Sequence, residues 1–284
     1  MKRVKRNAKP SPADDFTSLD TTRQSLLAKM VPQDGTVDYK VLQKDQSTQD
    51  LLRHLASHRL GLASFSQYPE LLYAISPQTL NHCVDKHDHS LPPLLYLLCE
   101  DNDVGVYLLS SRPHLFHSLN ATGCNYLKDH GGHQGASVCF WVTRFHFGYD
   151  LLLGVEQLSD SISEKCFNAP VLAGRYKTQS PLSNCVLSPK GHALLKSNTK
   201  IVDLVTAEAF NRPFICPDGV ERSPALVLIE IDPSFEVFRA QPHLLNLIDA
   251  QTLNQEIEHG PWKGQSIWHM LCMREQGRAL IYHH

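Results

Sequence analysis

Gln179–Asn211 reads QSPLSNCVLSPKGHALLKSNTKIVDLVTAEAFN, and laid against the rest of the chain it recurs. With Gly191 as origin, the equivalent residues are Gly61, Gly105, Gly148, Ser234 and Gly277, separated by one step of 44 residues and four of 43. Twenty positions past each complete origin stands an asparagine: Asn81, Asn125, Asn168, Asn211 and Asn254. Fourteen past it stand Ile75, Leu119, Ile162, Val205 and Ile248; ten past it stand Leu71, Leu115, Leu158, Ile201 and Leu244. Nine before it stand Leu52, Tyr96, Cys139, Leu182, Ala225 and Trp268; six before it stand Leu55, Cys99, Val142, Cys185, Leu228 and Leu271. A fixed period of this size marks a repeat architecture. The units run over about 47–89, 90–133, 134–176, 177–219, 220–262 and a truncated 263–284.

One unit can be read physically. Ser137, Ser180, Ser223 and Ser266 stand where an N-cap would satisfy orphan N–H groups, and Pro181 and Pro224 follow at the first helical position, where a missing donor costs nothing. Apolar residues at helical spacing then give a first short helix. Ser188-Pro189-Lys190-Gly191 breaks it, and a second helix runs through Ala193, Leu194 and Leu195. Ile201, Leu204, Val205 and Phe210 predict a third helix, preceded by proline in three copies (Pro69, Pro113, Pro242). About twelve residues of Gly-, Pro- and His-rich loop lead to the next unit. No unit can bury its apolar face alone, so neighbours must stack. Helix pairs pack roughly 8–10 Å apart, which predicts a curved rod on the order of 50 Å long.

Ser180-Pro181-Leu182, Ser266-Ile267-Trp268-His269, the pair Gly191-His192 and the loop Pro217-Asp218-Gly219 resemble ankyrin repeats. The period exceeds that family's roughly 33 residues, the excess lying between the second helix and the asparagine. Three helices per unit also suit armadillo or HEAT geometry. The whole resembles the elongated ankyrin-like arrays of effectors secreted by intracellular bacteria. The resemblance implies an all-α fold, an α-solenoid of about six units, acting in a host cytosol on a host protein.

Ahead of the array, residues 1–15 are basic (Lys2, Arg3, Lys5, Arg6) without an apolar core, which reads as a disordered tail rather than a signal peptide. Residues 16–46 are expected to cap the first unit, with a helix through Thr21–Met30 ended by Asp34-Gly35. At the other end Ile281 and Tyr282 would make a poor apolar cap, which favours a fragment of a longer chain. A net charge of −2 argues against a nucleic-acid binder, and no apolar run is long enough to span a membrane. A monomer is expected. The eight cysteines include no CxxC pair, and Cys99, Cys139 and Cys185 fall on core columns, as small hydrophobes in a reducing compartment.

Chemistry is sparse. There are 16 histidines, and His87, His89, His130 and His133 lie in successive loops with His89 and His133 at equivalent positions. Stacked loops would bring these imidazoles together as a zinc set, giving a metal-dependent hydrolase or metal-binding module. The alternative is polar loops that happen to be His-rich, and the spacing matches no zinc motif. No phosphate loop or Gly-x-Ser-x-Gly occurs, and a Cys–His pair would need thiols that the pattern buries. The expectation is no catalysis and no cofactor, and a protein-interaction scaffold. Positions seven, four and three before the origin are expected to face outward, and in the third unit they hold Trp141, Arg144 and Phe145, residue types that dominate interfaces; the alternative is that Phe140-Trp141 fills a gap in the core. Arg175, Tyr176, Lys177, Trp262 and Lys263 add aromatic and basic loop tips suited to an acidic protein surface.

Overall fold

The computed structural model describes residues 12–30, 37–86, 89–100, 103–112, 115, 118–232, 235–257 and 262–283. The chain is mostly helical, as expected, but two short antiparallel ladders interrupt it: Val84–Lys86 with His89–Leu91, and Phe214–Ile215 with Glu221–Arg222. Isolated bridges join Leu127 to Ser137 and Glu256 to Ser266. The inter-unit segments, expected as loops, are therefore hairpin-like, because their ends must return to successive first helices lying side by side.

Four of the first helices start where their serine caps predict. Ser137, Ser180, Ser223 and Ser266 accept the backbone N–H of Phe140, Ser183, Leu226 and His269. The first helices pack in chain order: Gln46–Ala56, Leu94–Cys99, Val138–Arg144, Pro181–Val186, Pro224–Ile231 and Ile267–Met273. The second helices form a parallel row through Arg59–Gln67, Asp103–Ser110, His146–Gly154, Pro189–Ser197 and Glu236–Ala240. The origin glycines sit where these rows touch. A Cβ on Gly61, Gly148 or Gly191 would lie 2.1, 1.8 or 2.1 Å from the carbonyl oxygen of Leu55, Val142 or Cys185. Close backbone approach, rather than a special φ, is what requires glycine here.

The expected third helix is two. In the fourth unit Thr199–Asp203 ends, Thr206 caps, and Ala207–Asn211 follows. The physical reason is a second cap column, fifteen past the origin: Ser76, Asn120, Ser163, Thr206 and Asp249 each accept the N–H three residues on.

The asparagine column binds neighbouring units together. Asn81 Nδ2 donates to Ser118 O (2.6 Å) and to Pro77 O in its own helix (2.8 Å), while its Oδ1 accepts from Asn120 N–H (3.0 Å). Asn125, Asn168 and Asn211 repeat this pattern on Ser161 and Ser163, Leu204 and Thr206, Leu247 and Asp249. Gln49 starts the ladder, donating to Ala74 O (2.9 Å) and accepting from Ser76 N–H (3.0 Å). Backbone groups that interrupted helices leave unpaired thus find partners across the unit boundary.

The N-terminal helix spans Pro12–Met30, so it begins inside the stretch expected to be a tail; residues 1–11 and the expected stop at Asp34-Gly35 lie outside the described residues. It packs on Gln46–Ala56 and Arg59–Gln67 with Leu19, Leu26 and Met30 buried, as a cap requires. Lys29 holds the Asp45 carboxyl down at about 2, together with the Thr48 hydroxyl. The core columns nine and six before the origin are buried throughout, with one exception: Trp268 is 45 % exposed. The turn at Ser234 lies outside the described residues; Phe235, next to it, is fully buried with left-handed backbone (φ 54°).

Candidate functional site

The face built by the first helices and the inter-unit loops carries the expected residues, but not all point outward. Trp141 is a correction: it is fully buried. The reason is that the loops fold back over the first turn of a short helix. The Trp141 ring lies 5.0 Å from both Phe140 and His133 and 5.7 Å from Tyr176, in edge-on contacts. The same covering buries the whole column seven before the origin from Leu98 to Met270, whereas Ser57, Arg144 and Met273 four before it are exposed. Phe145 is half-buried against the core.

Tyr176 is also largely buried, at 7 % exposure, so it is a platform rather than a tip. The exposed Arg144 guanidinium stacks 4.5 Å from its ring centre and Arg175 lies 4.6 Å from the same ring. Lys177, next in the chain, is exposed. Trp141, Arg144, Arg175 and Tyr176 therefore form one cluster. Trp262 belongs to a second, half-buried under the Arg274 guanidinium at 4.5 Å, with exposed Lys263 beside it. Arg274 is 5.4 Å from Phe235 as well. One signal for these platforms was legible: His133, Tyr176 and Trp262 share a position fifteen before the origin.

Of the four candidate histidines, only His130 and His133 have described side chains. His87 and the side chain of His89 lie outside the described residues. His130 is exposed and contacts Asp129; half-buried His133 places Nδ1 3.2 Å from Glu100 Oε1, which also pairs with Lys128. Among the described residues no three His, Cys, Asp or Glu side chains are placed to hold a metal ion.

The core cysteines are buried as expected. Burial pushes the Cys99, Cys139 and Cys185 thiols well up, and Cys124 to about 12 and Cys166 to about 11, so thiolate is scarce at neutral pH. Thiol labelling of the native protein is expected to modify exposed Cys83 rapidly and half-buried Cys272 slowly. Cys99, Cys124, Cys139, Cys166, Cys185 and Cys216 should react only in denaturant, and mass spectrometry of labelled peptides reads the order.

Sequence reasoning missed a cleft near the N-terminal end. It lies between the first hairpin, the loop after Asn125 and the helices Gln46–Ala56 and Leu94–Cys99, and has a volume of about 440 Å³. Arg53, Leu97, Glu100, Tyr126 and Lys128 line it. Its only advance signal was Arg53, a charge among the apolar positions of a first helix.

Compared with family models, curated proteins and solved structures, the chain has no significant match. No helix among the described residues is long and apolar enough to cross a membrane.

Proposed function

We propose that the chain is an ankyrin-like α-solenoid that serves as a protein-interaction scaffold, and that its partner presents an acidic surface to the first-helix and loop face. The ordered packing of first helices and the asparagine ladder support the architectural part. The observation that carries the functional part is the Tyr176 ring with Arg144 at 4.5 Å and Arg175 at 4.6 Å. Stacking restrains long side chains before a partner arrives, so less side-chain entropy is lost on binding. Cationic heads over an aromatic platform suit carboxylates, with arginine as the fork that can bind them bidentately. Arg274 over Trp262 gives the same face a second contact, so a partner could engage both clusters.

The test is charge reversal at exposed positions, since Trp141→Ala or Tyr176→Ala would open holes in the interior. Arg144→Glu with Lys177→Glu is expected to leave the circular dichroism and melting point unchanged. It should lower capture of partners from a eukaryotic cell lysate at least tenfold, and binding by wild type should weaken as salt rises. Equal capture by wild type and variant would sink the reading.

A further inference from the structure

Arg53 is a buried cation. It is 4 % exposed, yet no carboxylate is ion-paired with it among the described residues. Two of its N–H groups have structural work: Nη1 donates to Pro92 O at 2.9 Å and Nη2 to His82 O at 2.8 Å, tying the first hairpin to the helix Gln46–Ala56. Its Nε–H has no partner. Guanidinium cannot shed its proton, so the charge persists. Taking a charge out of water without a counter-ion is costly unless something compensates it.

The two carboxylates that line the cleft among the described residues, Glu100 and Asp50, have other partners. Glu100 is held by Lys128 and His133. Asp50 accepts from Gln46 Nε2 at 3.1 Å and reaches Arg53 only through space. Leu91, Pro92, Leu97 and the half-buried Tyr126 ring give the wall an apolar stretch, and His54, Ser57, Lys128 and His130 line the remainder. A buried cation beside an apolar stretch, in a cleft of about 440 Å³, offers the pairing of apolar surface with placed polar groups that ligand sites use.

We propose that this cleft binds an amphipathic carboxylate, its acid group on Arg53 and its apolar part against Leu91, Leu97 and Tyr126. This inference is independent of the acidic-partner face, which lies around Tyr176.

The probe is N-acetylphenylalanine, with its primary amide as the uncharged twin, titrated into the full chain and followed by ligand-observed NMR. The acid is expected to bind wild type at least tenfold more tightly than the amide. Ser57→Trp, which fills the cleft from an exposed wall position, should weaken the acid at least tenfold with an unchanged melting point. Arg53→Gln should abolish the preference for acid over amide. A peptide with one internal glutamate between apolar residues, compared with its glutamine twin, separates the sources. Discrimination there assigns the carboxylate to a protein segment, and discrimination only between acid and amide assigns it to a free organic acid. Equal affinity for acid and amide, unchanged binding in Ser57→Trp, or no binding of either probe at millimolar concentration would overturn the proposal.

Discussion

Asn81→Ala is expected to destabilise the protein by about 2–5 kcal/mol, since leaving buried backbone groups unsatisfied costs about 1–3 kcal/mol each. The side chain is fully buried and serves three of them: Pro77 O, Ser118 O and Asn120 N–H. Alanine cannot reach any. Two of the three belong to the next unit, so the damage falls on the boundary rather than on one helix. Asn254→Ala is the control. Asn254 is exposed and donates only to Ala250 O within its own helix, so its loss should cost under about 1 kcal/mol. Urea unfolding followed by circular dichroism reads the difference as a shift in midpoint. A broadened or split transition for Asn81→Ala would report units melting apart, because arrays lose two-state behaviour when neighbour coupling weakens. Equal costs at the two positions would show that the bonds between units contribute little.

Gly148→Ala is expected to cost about 3 kcal/mol or more, at or above the upper end for inserting a methyl group into a packed interior. The new Cβ would fall 1.8 Å from Val142 O and 2.6 Å from Val142 C. Both are backbone atoms, so no rotamer change can relieve the overlap. The second helix must move away from the first, and Tyr149 and Leu152 behind it lose their packing. Gly154→Ala is the matched control: a Cβ there meets nothing within 4 Å. It should be neutral or slightly stabilising, within about 0.5 kcal/mol, by restricting the unfolded chain. Thermal melts of the two variants settle the contrast, and a neutral Gly148→Ala would mean that the two helices are not held at this distance.

The columns of the repeat were legible because each answers a local demand that few residue types meet. Only glycine lets two backbones approach as they do at Gly148, and only short side chains such as Ser180 cap a helix start. The same logic explains Cys99, Cys139 and Cys185, which are small enough for the core and lie on its columns. What the asparagines bond to was not legible. The acceptor of Asn125 Nδ2 is the backbone carbonyl of Ser161, 36 residues on, and every residue has a carbonyl. Periodicity exposes the side chain that must be kept and hides a partner that any sequence supplies.

The face of the candidate site divides the same way. The sequence by itself placed Arg144, Arg175, Tyr176 and Trp262 at helix ends and loops, since their positions relative to the repeat origin decide that. It misjudged Trp141, because a helical wheel treats the helix as isolated, whereas this one is covered by the loop residues His133 and Tyr176. Whether a residue of a short helix meets solvent depends on which loop crosses it. That crossing, the pairing of arginines with aromatic platforms and the buried charge of Arg53 are decided only when units separated by dozens of residues come into contact.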